Sequence, residues 1–163
     1  MTQNKDLIHW LNDAYSMELS LEETLQHHIK DLDEHPQMKE RLEQHVLETR
    51  RHANDVKQCI EALGGKVSRT KAIFADLMGR FQGMSTGMFS DEIIKNLLHE
   101  HASENFEIAS YESLAAAAED LGEGDVALTC RRILEDERRM ASWVLEQIPI
   151  ATKQYLHGRM AHA

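Results

Sequence analysis

Gln44-His45-Val46-Leu47-Glu48-Thr49-Arg50-Arg51-His52 places His45, Glu48 and His52 three and four residues apart. At that spacing all three side chains project from roughly one face of a helix. The flanking residues extend the face as Met38, Leu42, His45, Glu48/Thr49, His52, Val56, Cys59 and Leu63, an apolar stripe with a polar middle. This is the second of four long helices that the sequence predicts. Each of the other three carries glutamate within an otherwise apolar stripe. The first reads Leu7, Leu11, Ala14, Glu18, Leu21, Leu25, Leu32, and the third Ile93, Leu97, Glu100, Glu104, Glu107, Tyr111, Leu114, Ala118. The fourth reads Val126, Cys130, Ile133, Glu137, Met140, Val144, Ile148. A carboxylate buried without a partner costs several kcal/mol, so these glutamates need one.

Helix ends are legible from turn chemistry. The first helix spans about 4–32 and meets Asp33-Glu34-His35-Pro36, with Pro36 placed to begin the second. The second stops at Gly64-Gly65. Ser90-Asp91-Glu92 caps the third, which runs to about Leu121 before Gly122. The fourth starts near Gly124-Asp125, and Pro149 is expected to kink or end it, with a last turn or two over 150–157. Residues 66–89 form the long connection, with a short amphipathic helix around Ile73, Phe74, Leu77, Met78 and Phe81. The Met78, Met84, Met88 group reads as adaptable packing. No run alternates as a strand would. The expectation is one all-α domain over 1–157 with a loose tail over 158–163.

Short turn, long crossover, short turn is the connectivity of a ferritin-like four-helix bundle. The two hairpins echo each other: Glu18 to Glu48 and Glu107 to Glu137 both span 30 residues, and an offset of 89 relates the pairs. Four carboxylate-bearing helices with a histidine supply the ligands of a di-iron or di-manganese centre, whose positive charges carboxylates neutralise and bridge. The expected metal ligands are Glu18, Glu48, Glu104, Glu107, Glu137 and His52, with His45 as the other source of nitrogen. Glu48 and Glu137 are expected to bridge. Glu22, Glu40, Glu43 and Glu119 read as solvated, and His27, His28, His35, His99 and His101 as surface or supporting residues. Tyr15 and Tyr111 are placed to donate hydrogen bonds to the ligands.

Composition narrows the partners. With 18 Lys and Arg against 28 Asp and Glu the chain carries a formal charge of −10, which argues against nucleic acid or an anionic membrane as partner and suits cations. Cys59 and Cys130 do not form a disulfide framework, and no apolar leader or spanning segment is present in the sequence read. A cytoplasmic location follows as the default.

Several specific pieces carry a family likeness. They are His9-Trp10-Leu11 with Met17-Glu18, Glu43-Gln44-His45 with Glu48-Thr49, and Phe89-Ser90-Asp91-Glu92-Ile93. Phe106-Glu107-Ile108-Ala109 followed by Tyr111, and Met140-Ala141 with Trp143 and Pro149, complete them. Over about residues 6–156 the chain resembles the YciE/YciF family of ferritin-like bacterial stress proteins, most closely the YciE branch. The resemblance implies a rubrerythrin-like bundle with a dinuclear metal site, in a homodimer. One departure stands out. The usual di-iron signature is glutamate followed three residues on by histidine, on two helices. Here Glu48 is followed by Arg51 and then His52, and Glu137 by Met140. Either one metal lacks a protein nitrogen, or a local bulge brings His52 round.

The favoured function is a metal-dependent stress oxidoreductase holding two iron ions, with manganese or zinc as alternatives, and reacting with oxygen or peroxide. A non-catalytic helical scaffold with a structural polar core is the alternative, followed by cage-type iron storage.

Overall fold

The computed structural model describes residues 4–69, 79 and 91–161. Four long helices make up nearly all of it: α1 (Asn4–His28), α2 (Pro36–Ala62), α3 (Glu92–Asp120) and α4 (Gly124–Ala161). A 3-10 turn, Ile29–Asp31, prolongs α1. Among the described residues there is no strand. α1 packs along α2 and α3 along α4 as antiparallel hairpins; across the bundle α1 meets α3 and α2 meets α4. This is the expected ferritin-like arrangement, with the crossover between the second and third helices. The expected helix around residues 73–81 and the Met78, Met84, Met88 group lie outside the described residues.

The ends follow the local chemistry. His35, preceding a proline, takes φ −127° and ψ 65°, outside the helical region, and α2 starts at Pro36. α2 and α3 end in the same way, each on a glycine with positive φ: Gly64 at 73° and Gly122 at 76°. The amides of Gly65 and Glu123 then bond back to Ile60 O (2.9 Å) and Ala118 O (2.8 Å), completing Schellman motifs. Asp91 caps α3 by accepting from the Ile94 amide at 3.0 Å. The first residues of the crossover are tied down by Asn12, whose Oδ1 accepts from the Ser68 amide at 2.6 Å.

α4 differs from its expected length. It continues through Pro149 to Ala161 instead of ending near the proline. The proline removes one backbone donor, but Ala151 beyond it is buried, and Ile148 and Tyr155 pack against the same apolar cluster. Packing on one face thus carries the helix past a residue that would stop it in isolation.

The core is split in two. One apolar cluster holds Leu7, Leu11, Ile60, Leu114, Ala118 and Ile133, where α1 and α4 begin and α2 and α3 end. The other holds Leu25, Leu42, Ile94, Leu97, Met140 and Val144 at the opposite end. Between them lies a buried layer of glutamates and histidines. Ile133, 1% exposed, sits in the first cluster. Ile133→Ala should lower unfolding free energy by about 2–5 kcal/mol, whereas exposed Lys57→Ala should change it by less than about 0.5 kcal/mol. Urea denaturation of the two variants beside the parent checks this.

Candidate metal centre

The polar layer is built from all four helices. α1 contributes Glu18, α2 His45 and His52, α3 Glu104 and Glu107, and α4 Glu137, each no more than 2% exposed. Their ligand atoms gather into two groups, each within 4.8 Å: Glu18, His52 and Glu137, and His45, Glu104 and Glu137. Glu137 belongs to both. His52 Nδ1 stands 2.7 Å from Glu137 Oε1 and 3.8 Å from Glu18 Oε2. His45 Nε2 stands 3.0 Å from Glu104 Oε1 and 3.8 Å from Glu137 Oε2.

Close approach does not bring hydrogen-bond alignment. Glu18 Oε2, His52 Nδ1, Glu104 Oε2 and both Glu137 oxygens are buried without a hydrogen-bond partner. Buried polar atoms are nearly always satisfied, so five unsatisfied donor-type atoms converging on one volume are a set that fits cations. With their protons released, two imidazoles and three or four carboxylates match the charge and donor preference of iron, manganese or zinc.

The histidines are aimed from behind. His52 Nε2 lies 3.0 Å from Asp136 Oδ2, which turns Nδ1 toward Glu18 and Glu137. His45 Nδ1 lies 3.0 Å from Glu48 Oε2, which turns Nε2 toward Glu104 and Glu137. Carboxylates on the outer nitrogen commonly fix the tautomer and ring plane of ligand histidines. Arginines back both carboxylates: Arg41 reaches Glu48 at 3.3 Å, and Arg51 and Arg139 pair with Asp136. Tyr111, fully buried, donates its hydroxyl to Glu18 Oε1 as expected.

Of the expected ligands, the fold brings Glu18, His52, Glu104 and Glu137 into the two groups. Glu107 is buried alongside, close enough that the charges of Glu137, Glu18 and Glu104 act on it. Glu48 is not brought in; its side chain is 21% exposed and faces Arg41, Gln44 and His45. The reason is angular. His45, Thr49 and His52 share one face, while Glu48 is turned by roughly 60° from His45 at 3.6 residues per turn. Each group therefore has one histidine, because the two are seven residues apart on a regular helix, and α2 needs no bulge. Asp136 carried no sequence signal, since it supports a histidine 84 positions away. His28 and His99 are buried, not at the surface.

Burial governs the proton inventory. It pushes the Glu18 carboxyl up to about 8, against the pull of His52 and with the charge of Glu137 adding to the rise. Burial, then the charge of Glu137, holds Glu104 and Glu107 well above the ordinary range. Burial would also raise Glu137, but His52 and His45 outweigh it and keep its pKa low. His52 is lowered by burial yet raised overall to about 9 by Glu137 and Glu18. Glu48 drops to about 2 through its hydrogen bond to His45, against burial and with Arg41 assisting.

Residues 2–157 match the family described as "Domain of unknown function (DUF892)", and the chain belongs to it. A protein of Xanthomonas campestris pv. campestris, known from its crystal structure, is 32% identical over 98% of this chain and 99% of its own, with a TM-score of 0.84. YcfI of Rhodopseudomonas palustris is 24% identical, with a TM-score of 0.77 over 88% of this chain and 93% of its own. The Escherichia coli stress protein YciF is 23% identical, with a TM-score of 0.77 over 91% and 95%. The shared fold supports the resemblance to the YciE/YciF family. No helix among the described residues is long and apolar enough to cross a membrane.

The shifts predict a pH dependence. In the metal-free protein Glu18 keeps its proton to about 8, while the unfolded chain releases it near 4.5. His52 keeps its proton to about 9 against 6.5 when unfolded. Folding therefore takes up protons as pH rises through these windows, and stability falls. The depressed Glu48 acts the other way, but only below 4.5. Thermal melts of chelator-treated protein should peak near pH 4.5 and decline from there toward pH 9; a melting temperature rising between pH 5 and pH 9 would contradict the assignment.

Proposed function

We propose that this chain is a dinuclear metal protein of the ferritin-like type, in the YciE branch, that holds two iron ions, or manganese, and reacts with oxygen or peroxide in stress defence in the cytoplasm. The observation that carries the reading is the pair of buried His/Glu groups sharing Glu137, with their ligand atoms left unsatisfied by the protein. Glu18 and His52 would hold one ion, His45 and Glu104 the other, and Glu137 would bridge. Two ferrous ions, if held by these residues, would supply the two electrons that, with two protons, reduce one peroxide to two waters. The chain's own residues do the rest. Asp136 and Glu48 fix the imidazoles, Tyr111 orients Glu18, and the buried carboxyls hold protons that entering cations displace. A groove of about 560 Å³ between α2 and α4 reaches His52 and is lined by Arg51, Arg131, Arg132 and Arg139. It offers a small oxidant a path toward the centre.

Metal should stabilise the fold, because it binds a site that the unfolded chain lacks. With free ion at about 100 times its dissociation constant the gain is roughly 3 kcal/mol. Anaerobic melts with ferrous or manganous ion should show it in the parent and in Glu119→Gln, and not in Glu137→Gln. Equal melting with and without metal in the parent would favour the scaffold reading, in which the glutamates are a protonated structural layer.

We also propose a homodimer. Leu145 and Leu156 are 54% and 55% exposed and lie within about 20° of each other around the end of α4, and a partner surface would cover them. Sedimentation at micromolar concentration should give twice the chain mass; a pure monomer would refute it.

A further inference from the structure

A third group of buried ligand-type side chains lies outside the centre. His28 ends α1, and His99 and Glu100 are adjacent on α3; their exposures are 7%, 8% and 2%. One ligand atom from each lies within 4.8 Å of the others. His28 Nδ1 contacts Glu100 Oε1 directly, and the His28 and His99 rings meet edge to face with centroids 5.3 Å apart.

The His28–Glu100 contact explains two of the three as a buried ion pair or hydrogen bond joining α1 to α3. It does not explain His99. That imidazole is more than nine-tenths buried beside another imidazole, and its Nδ1 has no hydrogen-bond partner. A buried polar atom left unsatisfied is destabilising, and an apolar residue would fill the place without that cost. Two imidazoles and one carboxylate are instead a recurrent donor set for zinc and for ferrous iron, leaving coordination positions open. The slight exposure of both histidines gives an entering ion contact with solvent.

The geometry points to a third, mononuclear divalent-cation site formed by His28, His99 and Glu100, suited to a borderline transition-metal ion such as zinc, cobalt or ferrous iron. Glu100 is one helical turn from Glu104, so this site stands at the edge of the polar layer next to the group of His45, Glu104 and Glu137. It does not depend on the dinuclear reading, since it shares no ligand with that centre.

Cobalt(II) alone serves as probe, titrated into the full-length Glu137→Gln protein, in which the shared ligand of the central groups is removed. One cobalt should still bind, with the visible absorption of a histidine-ligated ion. Adding His99→Gln or His28→Gln should weaken it by more than about tenfold, the loss that even an outer-shell partner produces. Adding His27→Gln, at an exposed position, should leave it unchanged. Unchanged cobalt affinity in the His99 and His28 variants, or no cobalt bound by the Glu137→Gln protein, would overturn the proposal. Crystals of the parent soaked in cobalt supply a check free of variants. An anomalous peak between His28, His99 and Glu100 is expected, and its absence alongside peaks at Glu137 would sink the third site while sparing the dinuclear centre.

Discussion

Burying Glu18, Glu104, Glu107 and Glu137 in one layer between two apolar clusters is the constraint to which the rest of this structure answers. Like charges in a medium of low dielectric cannot all stay ionised. The fold distributes the burden unevenly. Glu137 remains a carboxylate because His52 and His45 face it, while Glu18, Glu104 and Glu107 retain protons well above their ordinary range. A site arranged in this way would exchange protons for any cation it took up, and its protonation already ties pH to stability in one volume.

Precision at the centre comes from residues outside it. His45 and His52 could each present either ring nitrogen; Glu48 and Asp136 decide which. Those carboxylates are in turn steadied by Arg41 on one side and by Arg51 and Arg139 on the other. The two arrangements are alike in logic and different in origin. Glu48 is one turn from its histidine on the same helix, whereas Asp136 reaches across from α4. The pseudo-symmetry that pairs Glu48 with Glu137 by sequence offset is therefore broken in space: Glu137 belongs to both buried groups, while Glu48 lies behind His45.

The apolar ends make the polar middle tolerable. Leu7, Leu11, Ile60 and Ile133 close one end, and Leu25, Leu97, Met140 and Val144 the other. Small residues let the second hairpin close tightly, with Ala115 and Ala118 of α3 fully buried. Paired Schellman endings at Gly64 and Gly122 satisfy the last carbonyls of α2 and α3. Asn12 ties the crossover back to α1. Each device holds the helices at the separation on which the central distances depend.

The sequence by itself determined the four long helices, where each begins, where α2 and α3 stop, and the layer of glutamates interrupting four apolar stripes. Those features rest on local physics: 3.6-residue periodicity, capping chemistry at Asp91, glycine at the ends of α2 and α3, and proline at the start of α2. Glu18, Glu104, Glu107, Glu137 and His52 were legible as buried for the same reason. Tertiary structure alone decided three matters. It set Glu48 aside in favour of His45, because a rotation of roughly 60° about a helix axis is settled by the neighbouring helices. It joined Asp136 to His52 and His28 to Glu100, pairs whose members lie far apart in the chain. It also carried α4 past Pro149, where burial of Ala151 outweighed the loss of one backbone hydrogen bond. Periodicity shows which face a residue lies on; what it meets there depends on how the helices are rotated and staggered against one another, and that is fixed only when the whole bundle packs.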